Sequence, residues 1–193
     1  MTKKVPKTKK ILIDVSRDLF AKHGKRNTTM HEIAEASKKG RRTLYTYFTN
    51  KEEIFRAVVE KELEYLLEEL DKVFISELSA DEKLKNFALT HLDTVKHIVN
   101  RNGSLRADFF TDIYQVERSR KKINTKEIAM IRVMLQEGVE QKIFKRMDID
   151  LSAVVIFHII KGLEVPYIRK NLTKSFEKNK DTIVDFIFKG IVN

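Results

Sequence analysis

The residues best suited to chemistry lie between positions 41 and 51: Arg41-Arg42-Thr43, Tyr45, Tyr47 and Lys51. An arginine can take guanine O6 and N7 with both arms of its guanidinium, and a threonine can hydrogen-bond a base or touch a thymine methyl. Tyrosine hydroxyls donate to phosphate oxygens. Lys51 stands at the start of a predicted long helix. A cation there is mildly unfavourable with the helix dipole unless a phosphate comes close. The sequence shows no recognisable motif for covalent or metal chemistry. It has no Cys, which excludes a disulfide scaffold, a thiolate zinc site and a Cys nucleophile. Its histidines, His23, His31, His91, His97 and His158, form no H-E-x-x-H, and no P-loop, G-x-G-x-x-G or G-x-S-x-G is present. The chain reads as a non-enzyme that needs no cofactor.

Charge supplies the partner class. Residues 1–51 hold 14 Lys/Arg against 4 Asp/Glu, so the whole net charge of +10 belongs to the first quarter of the 193-residue chain. The remainder is balanced. Such asymmetry points to an N-terminal surface that meets a polyanion, either nucleic acid or an anionic membrane surface. The membrane version is the weaker one, because the first helix has no clean basic face opposite Trp or Phe. No apolar run approaches ~18 residues, so nothing is expected to span a membrane. No secretory signal is read at the N-terminus, and a cytoplasmic location is expected.

The elements that position these residues read as helices throughout, and no segment alternates with period two long enough for a strand. Met1–Lys10 is a basic arm. A first helix runs from about Thr8 to His23 on a stripe of Ile11, Val15 and Leu19, flanked by Leu12 and Phe20, and Gly24 stops it as a left-handed cap. Thr29-x-x-Glu32 spells a capping box for a second, short helix that turns Ile33 and Ala34 inward. Ser37-Lys38-Lys39-Gly40 makes the turn, with Gly40 expected at a positive φ or close approach. A third helix spans Arg41 to Phe48 and packs Leu44 and Phe48 inward, which leaves Arg41, Arg42, Thr43 and Tyr47 on the outer side. Asn50-x-x-Glu53 caps a long helix over Lys51 to Phe74. Two short capped helices joined by a tight turn inside a three-helix unit is the helix-turn-helix layout, whose second helix fits a B-DNA major groove.

These residues resemble the tetracycline-repressor (TetR) family signature, T-x-x-x-I-A-x-x-A-G-V-S-x-G-x-L-Y-x-Y-F-x-x-K-E-x-L. Thr29, Ile33-Ala34, Leu44-Tyr45, Tyr47-Phe48 and Lys51-Glu52 match it in register without a gap. The match covers only the N-terminal quarter. The sequence departs from the pattern at the turn, where Ser37-Lys38-Lys39-Gly40 stands for Ala-Gly-Val-Ser, and at Arg42, which stands for a Gly. The resemblance implies an all-α protein with an N-terminal three-helix DNA-binding domain (1–50, with its basic arm) and a larger helical effector-binding and dimerisation domain (51–193). It implies that Thr29, Thr43, Tyr45, Tyr47 and Lys51 contact DNA, mostly at phosphates, and that Arg41 and Arg42 fall where the family reads bases. It implies a repressor on double-stranded DNA, released by a small-molecule effector. An architectural or effector-independent DNA binder is the competing function.

Beyond residue 51, Ser79-x-x-Glu82 opens a helix that carries Phe87 and His91 and ends near Gly103. A short apolar helix follows with Leu105, Phe109, Phe110 and Ile113. A basic stretch over 118–122 leads into a helix with Ile128, Ile131 and Met134. Asp150 is expected to cap the next helix, Pro166 to kink or break it, and a last helix to run from about Thr173 to Val192. Ala153 to Ile160 is apolar around most of its circumference and must bury two faces. With the apolar side of the last helix, it suggests a symmetric homodimer, as the resemblance also implies. Phe87, His91, Phe110, Tyr114, Met134 and His158 could line an apolar pocket with a few polar groups. That pocket would take a small apolar or amphipathic effector. Plain helical core is the competing interpretation of the same residues.

Overall fold

The computed structural model describes residues 6–103, 113–169 and 179–192. Among these the chain forms eight helices and no strand: α1 (Lys7–His23), α2 (Met30–Ala36), α3 (Arg41–Tyr47), α4 (Lys51–Phe74), α5 (Ala80–Arg101), α6 (Ile113–Glu140), α7 (Ile149–Arg169) and α8 (Lys180–Phe188). The short helix expected around Leu105, Phe109 and Phe110 lies outside the described residues, as do Thr173 and the side chains of Ile113 and Tyr114. The chain divides into two compact units, residues 1–63 with 98–120 and residues 64–97 with 121–193.

In the first unit, α1 buries Leu12, Ile13, Ser16 and Phe20. The expected stripe of Ile11, Val15 and Leu19 is only half-buried. The buried face is thus rotated by one residue, about 100° on a helix. Ser16 explains the shift. Its hydroxyl donates to the Leu12 carbonyl at 2.7 Å, so a polar residue holds a core position without an unpaired group. Gly24 ends α1 at φ 82° with its N–H on the Phe20 carbonyl, 2.9 Å away. Its ψ of 152° places it in the mirror-extended region open to glycine, not in a left-handed helical turn.

The turn between α2 and α3 departs from expectation. Lys38 N–H donates to the Glu35 carbonyl at 2.9 Å and Lys39 N–H to the Ala34 carbonyl at 3.0 Å. Those two bonds are a Schellman closure, which requires a left-handed residue just past the C-cap Ser37. That residue is Lys38, at φ 53°. Gly40 has an ordinary φ of −62° and open space where a Cβ would stand. Its task is to serve as the N-cap of α3. On the inner side of the unit, Ile33, Leu44, Ile54 and Phe55 are fully buried, and the Phe20 and Phe55 rings meet edge-on with centroids 6.4 Å apart.

In the second unit, α6 runs unbroken through 118–122, where a lead-in segment was expected. The α7 cap is Asp148, whose Oδ1 accepts from Leu151 N–H at 3.0 Å. Asp150 instead sits in the first turn and pairs with Arg132 at 2.5 Å. The helix continues through Pro166 to Arg169. α8 stops at Phe188 because the chain then pairs with residues 144 and 145: Lys145 N–H donates to the Ile191 carbonyl at 2.9 Å, and Phe144 bridges Val192. By length and hydropathy alone, Ile149–Ile168 could cross a membrane, contrary to the expectation that no segment could. One face of it, Ala153, Ile156, Phe157 and Ile160, is packed as core.

Candidate nucleic-acid interface

Helix α3 is only seven residues long, so its stability must come from packing and from its neighbours' caps rather than from propensity. Leu44 and Phe48, one turn apart, are 0 % and 3 % exposed and fix one column of the helix in the core. The other columns are then turned outward together. Arg41 and Tyr45 form one, Arg42 and Thr46 the next, and Thr43 and Tyr47 the third. Arg41, Arg42 and Tyr45 are exposed, while Thr43 and Tyr47 are half-buried at the edge. Arg41 is steered from α2: its Nε donates to His31 Nδ1 at 3.3 Å.

Caps hold the flanking elements. Glu32 N–H donates to Thr29 Oγ1 at 3.2 Å, and Thr29 N–H returns to Glu32 Oε2 at 2.7 Å, a complete capping box. The Thr29 N–H keeps the Glu32 carboxyl below its usual range. At the start of α4, Glu53 N–H donates to Asn50 Oδ1 at 2.9 Å, while Thr49 N–H donates to Glu53 Oε2 at 2.7 Å and holds that carboxyl low too. Thr29 is exposed beside its box. Lys51 is half-buried, and its ammonium donates to the Thr28 carbonyl at 2.8 Å and the Arg26 carbonyl at 3.1 Å. It therefore clamps the turn before α2 with two of its three N–H bonds. All seven residues expected at the interface lie at the surface of one unit.

The candidates for a ligand pocket separate. Phe87, His91 and Met134 are fully buried in the second unit. His158 is exposed, on the outer side of α7 beside Val154, Val155 and Ile159. Phe110 and the Tyr114 side chain lie outside the described residues. His91 has two partners that sequence reasoning missed. Its Nε2 is hydrogen-bonded to Glu164 Oε1 at 2.8 Å, and its Nδ1 lies 2.8 Å from Glu127 Oε2. Burial alone would lower the imidazole pKa, but the two carboxylates more than offset it and raise it to about 9. A sequence signal existed. Each of the three stands at the centre of an apolar i±4 column: Phe87–His91–Val95, Ile123–Glu127–Ile131 and Ile160–Glu164–Ile168. A charged residue in such a column must find a partner inside.

A basic face on a short helix, set out by a buried pair and led in by a tight turn, defines a helix-turn-helix DNA-binding regulator. Residues 12–58 match the family of bacterial regulatory proteins, tetR family, which makes that segment a TetR-type helix-turn-helix domain. The chain is similar to the HTH-type transcriptional regulator YhgD of Bacillus subtilis, 24 % identical over 80 % of this chain and 81 % of the relative. It is also similar to the fatty acid metabolism regulator protein of the same organism, 23 % identical over the full length of both. Among solved structures, a transcriptional regulator from Cytophaga hutchinsonii superposes with a TM-score of 0.77 at 26 % identity, covering 95 % of this chain and 98 % of that one. These relatives are transcriptional regulators, not enzymes.

Proposed function

We propose that the chain is a repressor that binds a near-palindromic operator as a homodimer and leaves it when a small effector occupies the second unit. What supports the DNA reading above all is the outward display of Arg41, Arg42 and Thr43 on a helix whose remaining column, Leu44 and Phe48, is sealed in the core. Arg41 and Arg42 read bases. Thr29, Thr43, Tyr45, Tyr47 and the remaining Lys51 N–H bind phosphates, and the DNA-reading part is residues 1–50.

The dimer reading is supported by α7. Leu151, Val155 and Ile159 recur one turn apart and are 62 %, 47 % and 38 % exposed, with Val154 and Val165 beside them. A continuous apolar stripe of that kind needs cover, and a second copy gives two recognition helices for two half-sites. The effector reading rests on the buried Phe87, His91 and Met134, and one relative's name, fatty acid metabolism regulator, agrees with an apolar ligand. The effector must bind one of two states of the dimer better to shift them. The place of action is the cytoplasm.

Salt dependence tests the electrostatic core of this proposal. Neutralising ~6–10 phosphates makes affinity fall by roughly 10³–10⁵ between 50 and 200 mM salt. Fluorescence anisotropy on a duplex carrying the upstream region of the gene should show that fall, and a flat response contradicts it.

A further inference from the structure

The buried cluster around His91 is balanced in charge but short of hydrogen-bond donors. His91 and Lys161 are its cations and Glu127 and Glu164 its anions, with Lys161 Nζ 2.6 Å from Glu164 Oε1. Glu164 is well served, by His91 Nε2 and by Lys161. Glu127 is not. It is 1 % exposed; His91 Nδ1 lies 2.8 Å from its Oε2, while its Oε1 has no hydrogen-bond partner among the described residues. One turn earlier on the same face of α6, the half-buried Asn124 has its Oδ1 shielded from solvent and without a partner among the described residues. Two shielded acceptors one helical turn apart, neither partnered, are rare, because each leaves a desolvated group uncompensated.

We propose that Glu127 and Asn124 form the head-group site of the effector, and that they take an apolar molecule with a neutral N–H donor head, a primary carboxamide being the simplest fit. The inference rests on the effector reading above. A carboxamide offers two N–H bonds, one for Glu127 Oε1 and one for Asn124 Oδ1, and brings no charge into a cluster that is already neutral. An ammonium would add a positive charge beside the His91 imidazolium. A carboxylate would add a third anion and no donor. The apolar body belongs among Phe87, Ile131 and Met134, all fully buried in the same unit.

The test is calorimetric titration of the full chain with octanamide, octylammonium and octanoate, repeated with the four- to ten-carbon amides. Octanamide or a neighbouring amide should bind at least tenfold more tightly than the ammonium or carboxylate of equal length. Asn124→Ala should weaken the amide about tenfold, the worth of one hydrogen bond to a buried acceptor, with no change in circular dichroism. Glu127→Gln should weaken it as well. Equal or tighter binding of octanoate or octylammonium overturns the proposal, as does failure of every amide to bind, or an Asn124→Ala variant that binds amide as the parent does. Operator release is read in parallel by anisotropy. Amide binding without release upholds the site and contradicts its effector role, and failure of DNA binding itself leaves the titration unaffected.

Discussion

The Lys51 ammonium donates to the Thr28 carbonyl at 2.8 Å, and so ties the first residue of α4 to the residue just ahead of the α2 cap. A cation at a helix N-terminus is disfavoured by the dipole. Two carbonyls, those of Thr28 and Arg26, take up that charge even before a phosphate does. Lys51→Met should therefore act twice. It should destabilise the protein by about 1–2 kcal/mol, since charge-assisted bonds to carbonyls are lost, and it should weaken DNA binding for every sequence alike. Urea melts and anisotropy on two unrelated duplexes check both. A variant with unchanged stability would show that the clamp does not hold the turn.

The turn offers a substitution that strengthens the fold. Lys38 stands at φ 53° in the position that a Schellman closure reserves for glycine. Lys38→Gly relieves about 1 kcal/mol of left-handed strain and should raise the melting temperature. Gly40→Ser should change stability by no more than a few tenths of a kcal/mol, because an N-cap accepts either residue. If Gly40→Ser were the damaging change and Lys38→Gly harmful too, the positive φ would belong to Gly40.

His91 makes stability depend on pH. Its pKa is raised from 6.5 to about 9 in the folded state, so the fold holds this proton more tightly than the unfolded chain does. Its contribution is complete below pH 6.5 and is lost as pH rises through about 9. Over that window it falls by something on the order of 3 kcal/mol. Thermal melts between pH 6.5 and 9 should show the decline, and His91→Gln should flatten it. A parent protein whose stability is level or rises across the window would contradict the ion pairs with Glu127 and Glu164.

Placing lysines on the α7 stripe tests the dimer. Val155→Lys with Ile159→Lys puts two charges where a partner copy would bury them, at a cost of several kcal/mol. Light scattering at micromolar concentration should give a dimer for the parent and a monomer for the double variant, with no loss of helicity. A parent that scatters as a monomer removes the basis for two half-sites.

What could be read from the sequence was mostly local. Thr29 with Glu32 and Asn50 with Glu53 cap as expected, and Ser79 N–H donates to the Glu82 carboxylate as the return half of a capping box, because such bonds join residues three apart and are written in the residue types. Leu44 and Phe48 follow from one helical turn. Three expectations went astray by one or two residues: Gly40 against Lys38 in one turn, Asp150 against Asp148 before one helix, and Val15 against Ser16 on one face. In the last case a side chain bonding back to its own helix hid a core position. His91 with Glu127 and Glu164 could not be paired from the sequence, since their separation along the chain carries no register. Only their places in apolar columns marked them.

Parallel selection of bound duplexes from random DNA, with the parent chain, Arg42→Ala and Tyr47→Phe, bears most directly on whether α3 reads the groove. The parent should yield a near-palindrome. Arg42→Ala should lose ~1–3 kcal/mol of preference at one base pair in each half-site and keep the rest, while Tyr47→Phe should bind every selected sequence more weakly without changing the preference. A preference untouched by Arg42→Ala, or no sequence preference in the parent at all, would contradict the placement of α3 against the bases.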